Sequence, residues 1–252
     1  MIAGITLSGY LAHLPQKRIQ VIIFLIVFIL QYAAEHFYPA DKNYNNSKNE
    51  LKNILVGVGN GVILFVPSAL IVELLSIISQ NKIGLLQQIT IPFWFNSIVT
   101  LATMDFFLYW WHRFNHTQKI FWRFHRFHHL DGKMNTTTAL RFHIVELLFS
   151  NFFKALFFLM MGFSFLPVLI YEIVFFIIVL IQHSNINISR NFDMAYRKIF
   201  SSPLMHRIHH SNKQIETDTN YSSVFSFWDK LFRTYKKEVP GKIVFGVDEN
   251  KM

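Results

Sequence analysis

Three short stretches hold most of the chain's imidazoles: HRFNH (His112, His116), HRFHH (His125, His128, His129) and HRIHH (His206, His209, His210). On a helix, residues three and four apart share a face, so each stretch is expected to turn two or three imidazoles into one small volume. That is metal-ligand spacing. A lone HxxxH pair is more often a surface accident or a satisfied core pair, but three such clusters in one chain are far harder to assign to coincidence. The competing reading is an interfacial basic belt meeting lipid phosphates. It does not require this spacing or the repeated pairing of adjacent histidines.

The three stretches supply eight imidazoles, and His183 in QHSNIN and His143 in RFHIVE bring the candidates to ten. One ion takes at most about six ligands and rarely more than about four from protein, so the inventory fits two ions. With no cysteine in the chain, a thiolate zinc site or an iron–sulfur cluster is excluded. Imidazole alone suits iron, zinc or copper, and spacing does not choose among them. Zinc would serve hydrolysis, iron oxygen chemistry.

Other polar residues stand near these clusters. Asp105 lies seven residues before His112, hence on nearly the same helical face. A carboxylate in an apolar span is expected either to orient an imidazole or to accept a helix-packing hydrogen bond. Glu146, three residues after His143, is a candidate for the same task or an interfacial carboxylate. Asn185 and Asn220 read equally as site residues or caps. Trp110, Trp111 and Trp122 read as interface anchors. Glu73 and Glu172 lie within apolar blocks, and the sequence gives them no partner.

The elements that must position these groups are apolar. Of 252 residues, 52% are hydrophobic, and mean hydropathy is +0.30, which points to a bilayer as solvent. The net charge of +9 is spread between phenylalanine-rich runs rather than over one polar face, which argues against a nucleic-acid partner and for anionic lipid. Apolar blocks run from Ile19 to Ala34, Ile54 to about Ile78, Ile91 to Trp111 and Leu147 to Ile181, the last interrupted by Gly162 and Pro167 as in a helical hairpin. The first is just short of a full span, and it is read as a retained anchor because Lys17 and Arg18 precede it and no cleavage pattern follows. DKNYNNSKNE, residues 41–50, reads as a loop.

Six Lys and Arg lie in 113–141 and eleven in 183–252, so both polar segments are expected on the cytoplasmic face. Lys17 and Arg18 are the exception. The expected fold is all-α: a polytopic integral membrane protein with a cytoplasmic-face, histidine-rich helical cap. Residues 1–90 would form N-terminal anchor helices and 91–252 the catalytic region, in one structural domain.

The order HxxxH, HxxHH, HxxHH after a YWWHR exit resembles the membrane fatty acid hydroxylase and sterol desaturase superfamily. RFHIVE, QHSN, SSPLMHRIHHS and DTNYSSVFSFWDKLFRTY are similar too, so the likeness runs from Asp105 to Tyr235. The resemblance implies a non-haem di-iron centre that activates O2 above a membrane lipid. Its ligand boxes match His112, His116, His125, His128, His129, His206, His209 and His210, with His183 as an additional ligand. His143 stands between ligand and supporting role, and no catalytic side chain separate from the centre is implied. This chain has Ser222 and Arg233 where the family usually has glycine.

The favoured function is therefore an O2-dependent lipid C–H oxidase, a hydroxylase or desaturase of a sterol, fatty acyl, sphingoid or ether lipid. Its cofactors would be two iron ions, with zinc as a substitute on overexpression, and electrons would come from an external reductase, cytochrome or ferredoxin. A membrane metal transporter or storage protein would place its sites near the midplane on broken helices. A zinc-dependent lipid hydrolase explains a metal but not so many imidazoles.

The shared face is testable because the chain has no cysteine of its own. Cysteines introduced singly at Lys133 and Lys213 should both resist a membrane-impermeant thiol reagent applied to intact cells. Labelling of either from outside contradicts the arrangement.

Overall fold

Inside a bilayer the backbone finds no water to bond, so apolar runs must satisfy their own N–H and C=O groups as helices. The computed structural model describes residues 8–41 and 47–247, and those residues are all-α. The helices are α1 (Ser8–Ala12), α2 (Leu14–Phe37), α3 (Ser47–Asn81), α4 (Phe93–Thr117), α5 (Lys119–His129), α6 (Ile144–Met161) and α7 (Phe165–His183). Four short ones follow: α8 (Arg190–Tyr196), α9 (Pro203–His209), α10 (Gln214–Thr217) and α11 (Phe227–Leu231).

The five long helices run alternately between two ends. At the histidine end, Glu35 near the close of α2 accepts the Thr136 and Asn185 amides, and Asn49 and Asn53 in the opening turns of α3 donate to Asp131. At the far end, His13 stacks on Phe165, and Gly84, after α3, meets Gly162, which caps α6. A Cβ on Gly84 would lie 2.3 Å from the Gly162 amide nitrogen, and both residues hold positive φ, at +87° and +74°. Only glycine fits both demands.

Four segments are long and apolar enough to cross a membrane: Leu14–Phe37, Ser47–Gln88, Ile144–Met161 and Phe165–His183. The protein is thus a multi-span membrane protein. The first is 24 residues, about 36 Å of helix, because Leu14 to Arg18 and the residues after Ala34 extend the apolar block. The hairpin helices α6 and α7, of 18 and 19 residues, are each about 27–29 Å long and match the hydrocarbon core. Lipid-facing side chains such as Ile22, Leu25, Ile29 and Leu30 are exposed along α2, as expected where lipid tails take the place of a protein core.

Two expectations change. The block from Ile91 is a helix, α4, but falls outside the span-forming set, because tryptophan, tyrosine and the polar residues Asn96, Asp105, His112 and Asn115 lower its hydropathy. The expected 41–50 loop is partly helix: Ser47–Glu50 open α3, while 42–46 lie outside the described residues. At 35 residues, α3 is about 52 Å long, so it outruns the bilayer and carries polar side chains to the histidine end.

The apolar core, with Leu75, Ile78, Phe158, Phe163 and Val168, fills the interior between α3, α4, α6 and α7. At the histidine end the interior is polar. There the C-terminal segments fold back over α4, and Asp229 draws in the amides of Tyr221 and Ser222 and the Thr234 hydroxyl. Arg233 sits at φ +59°, so the expected difference at this family glycine is a strained arginine in the same kind of turn. Ser222 is different. It has no positive φ, and its hydroxyl accepts the Asp229 amide.

Arg233→Gly should stabilise the protein by about 0.5–1 kcal/mol, relief of left-handed strain being partly offset by a freer unfolded chain. The midpoint of thermal unfolding in detergent should rise by roughly 1–4 °C. An unchanged or lowered midpoint would show that the turn is unstrained.

Candidate metal centre

Nine histidines from α4, α5, α7 and α9 meet at one end of the bundle and separate into two groups. His112, His116, His125, His129 and His209 form one, and His128, His183, His206 and His210 the other. Within each group the candidate ligand nitrogens all lie within 4.8 Å of one another. Each motif turns two imidazoles into one group, as expected, and each HxxHH motif sends its third ring to the other. Neighbouring residues on a helix point about 100° apart, so His125 and His129 face the first group while His128 faces the second. In the last motif His209 joins the first group, and His206 and His210, four apart, join the second.

Six of these rings are fixed through Nδ1. His112, His128, His183 and His209 place it 2.8, 3.2, 2.7 and 2.8 Å from the carbonyls of Tyr221, Arg141, Val179 and Thr219. His125 Nδ1 lies 2.8 Å from Glu146 Oε1, and His116 Nδ1 lies 3.3 Å from Asp218 Oδ1. A carbonyl or carboxylate oxygen accepts, so Nδ1 must carry the proton. In the neutral ring Nε2 is then left as a lone pair aimed into the cluster.

This proton inventory tests whether the residues suit a metal. His128 and His183 both spend their N–H on carbonyls, yet their Nε2 atoms are 3.0 Å apart. Two lone pairs at that distance repel unless a cation lies between them. An extra proton is a poor candidate, since burial first, and then the adjacent imidazoles, hold His128, His129, His206 and His210 well below the ordinary histidine range. His112 Nε2 and both ring nitrogens of His210 are buried with no hydrogen-bond partner among the described residues. A divalent ion in each group would take the lone pairs of His112 in one and of His128, His183 and one ring nitrogen of His210 in the other, so the donor set fits two.

The remaining sequence candidates take other places. Glu146 orients His125 and also accepts Asn115 Nδ2 at 3.4 Å. His143 belongs to neither group: it caps α6, its Nδ1 accepting the Val145 amide at 3.2 Å. Asp105 reaches no imidazole. It gathers the Val224 and Phe225 amides, Trp228 Nε1 and the Tyr171 hydroxyl, and so fastens to α4 the loop whose Tyr221 carbonyl orients His112. Asn185 accepts the Asp41 amide and donates its own to Glu35, and Asn220 donates to Met205 and Lys236 carbonyls. Both are structural.

Arg141 and Asp131 are functional positions that the sequence reading passed over. Arg141 offers its carbonyl to His128 and its guanidinium to the Phe127 carbonyl and Asn53. Asp131 accepts from Asn49, Asn53 and Thr138. Together they pin the 131–141 segment to α3. Asp218 was likewise unmarked, and the orienting carbonyls leave no trace in side-chain identity.

A cavity of about 230 Å³ opens beneath the two groups. His112, His125, His128, His183 and His206 line one end, so it reaches both, and its walls include Leu108, Phe142, Leu147, Phe175 and Val179.

The sequence profile of the fatty acid hydroxylase family matches residues 97–234. The chain is 33% identical over 145 residues to the ornithine lipid hydroxylase OlsE of Rhizobium tropici, a stretch covering 57% of this chain and 43% of that protein. It is 29% identical over 153 residues to the alkylglycerol monooxygenase of Homo sapiens, covering 57% of this chain and 31% of the relative. For the Xenopus tropicalis alkylglycerol monooxygenase the figures are 28% over 149 residues, 59% and 32%. The matches thus span less than half of these relatives' length. No solved structure matches the chain significantly.

Glu146→Gln should weaken divalent-metal binding by about 10–100-fold, the usual effect of losing a carboxylate that orients a ligand imidazole. Chelator competition on the purified protein measures it. Unchanged affinity would show that Glu146 does not set the ring.

Proposed function

The chain belongs to the fatty acid hydroxylase family, and from that premise we propose that it is a membrane di-iron enzyme using O2 to oxidise a C–H bond of a lipid. The observation that carries this reading is the cavity whose one end is lined by imidazoles of both groups and whose walls are mostly apolar. A soluble substrate needs no such walls. The names of the relatives, an ornithine lipid hydroxylase and alkylglycerol monooxygenases, support a lipid with a polar end.

In this proposal His112, His116, His125, His129 and His209 hold one iron ion, and His128, His183, His206 and His210 the other. Non-haem iron in such a site supplies O2 activation and attack on an unactivated carbon. The chain's own residues do the rest. Carbonyls of Tyr221, Arg141, Val179 and Thr219 hold the rings in the tautomer that leaves Nε2 free, and Glu146 and Asp218 do so with carboxylates. Phe142 stacks on His128 with ring centroids 4.4 Å apart, and Leu147 and Phe175 line the approach, so bulk water is kept from the reacting carbon. Electrons come from a separate reductase, cytochrome or ferredoxin. The proposed arrangement sets the catalytic region, 91–252, on the anchor of 1–90 as one unit, with its histidine end on the cytoplasmic face, in line with the Lys and Arg excess there.

Protein purified from iron-replete cells should carry close to two metal ions per chain and oxidise lipid in a reductant- and O2-dependent manner. His128→Ala and His209→Ala, one from each group, should each lose metal and oxidation together while the membrane helices keep their circular dichroism. Full metal content in both variants contradicts the assignment of ligands. Two metals with O2-independent ester cleavage contradicts the oxidase.

A further inference from the structure

The cavity beneath the histidines has a second end. Lys154 on α6 and Glu172 on α7 line it there, and the same two residues line a smaller cavity on their other side, together with Lys17 and Asn151. Lys154 is eight residues from Glu146, about 12 Å along α6, and Glu172 eleven from His183, about 16 Å along α7. Lys154 and Glu172 therefore lie well away from the imidazoles, half-buried along two of the membrane-spanning helices.

The charges there do not balance. Glu172 Oε2 takes Gln20 Nε2 at 2.8 Å and Lys17 Nζ at 3.4 Å, which ties α2 to α7. Lys154 Nζ has no hydrogen bond or ion pair among the described residues, although it lines the smaller cavity together with Glu172 and Lys17. Two ammonium groups thus face one carboxylate that is already engaged. Ionisable residues within membrane helices are costly and are retained where they pair or contact a ligand. Lys17 and Glu172 have paired with each other. Lys154 has only the cavity.

We propose that Lys154 receives the oxyanion of a single-chain lipid, a carboxylate or a phosphate monoester, whose hydrocarbon chain runs up the cavity to the histidines. The site lies in the membrane, so the ligand enters laterally as a lipid. The lining between Lys154 and the histidines includes Met104, Leu108 and Phe176, which suits an alkyl chain. That the bound lipid is the substrate rests on the oxidase reading; that the anion binds at Lys154 does not.

The test is equilibrium binding at pH 8 to the full-length, metal-containing protein, with radiolabelled palmitate, hexadecyl phosphate and hexadecanol as probes and metal content measured on the same sample. Wild-type protein should bind one or both oxyanions at least about tenfold more tightly than the alcohol, and the tighter of the two identifies the headgroup. Lys154→Met should bring the preference to within about threefold with hexadecanol binding retained, and Lys154→Arg should keep it. Equal affinity of the wild type for all three probes overturns the proposal without any variant. So does a preference that survives in Lys154→Met. A sample that shows the oxyanion preference but carries no metal leaves the anion site standing and counts against the oxidase alone, whereas two metals without the preference do the reverse.

Discussion

Two imidazole nitrogens, His128 Nε2 and His183 Nε2, stand 3.0 Å apart with their rings' protons already committed to backbone carbonyls on the opposite side. Much of the histidine end can be derived from that conflict. To hold lone pairs against each other the chain must fix each ring from behind, and it does so with four carbonyls and two carboxylates. Those carbonyls must be held too. Asp229 and Asp105 fix the Tyr221 segment, and Asn53, Asp131 and Arg141 fix the segment after α5. Buried polar groups that would be a liability in isolation satisfy one another, and the imidazole nitrogens left over are those of the proposed ligand set.

The bundle divides its work along its length. The interior toward the far end is mainly apolar and closes on the Gly84–Gly162 contact, where no side chain fits. The interior at the other end is built of hydrogen bonds, and the cavity lies between them with imidazoles at one end and Lys154 beside Glu172 at the other. A polar network of this size in a membrane protein is costly to assemble. It is gathered at the end where α3 carries its polar opening turns and where the C-terminal segments cover α4.

The fold was legible in the sequence wherever a single physical rule decided it. Long apolar runs became helices, Gly162 ended one of them, and histidine spacing marked eight of the nine members of the two groups, His183 lying outside the three motifs. The sorting of His128 from His129 was not legible from motif spacing alone, because it depends on which neighbouring helix each ring faces. Asp105 shows the other limit: its spacing from His112 is right for an orienting carboxylate, yet the donors that claim it come from residues 224–228, about 120 positions away. His143 has the right residue type and lies beside Glu146, but helix capping took it. The carbonyls that orient the rings belong to residues of any kind, so no sequence pattern announces them.

The central claim is that two ions sit in this end of the molecule, one in each imidazole group. Anomalous diffraction at the iron absorption edge, from crystals of the iron-loaded protein, addresses it directly. The account predicts two separate peaks, one surrounded by His112, His116, His125, His129 and His209 and the other by His128, His183, His206 and His210. A single peak shared by all nine histidines, or peaks outside both groups, would contradict it.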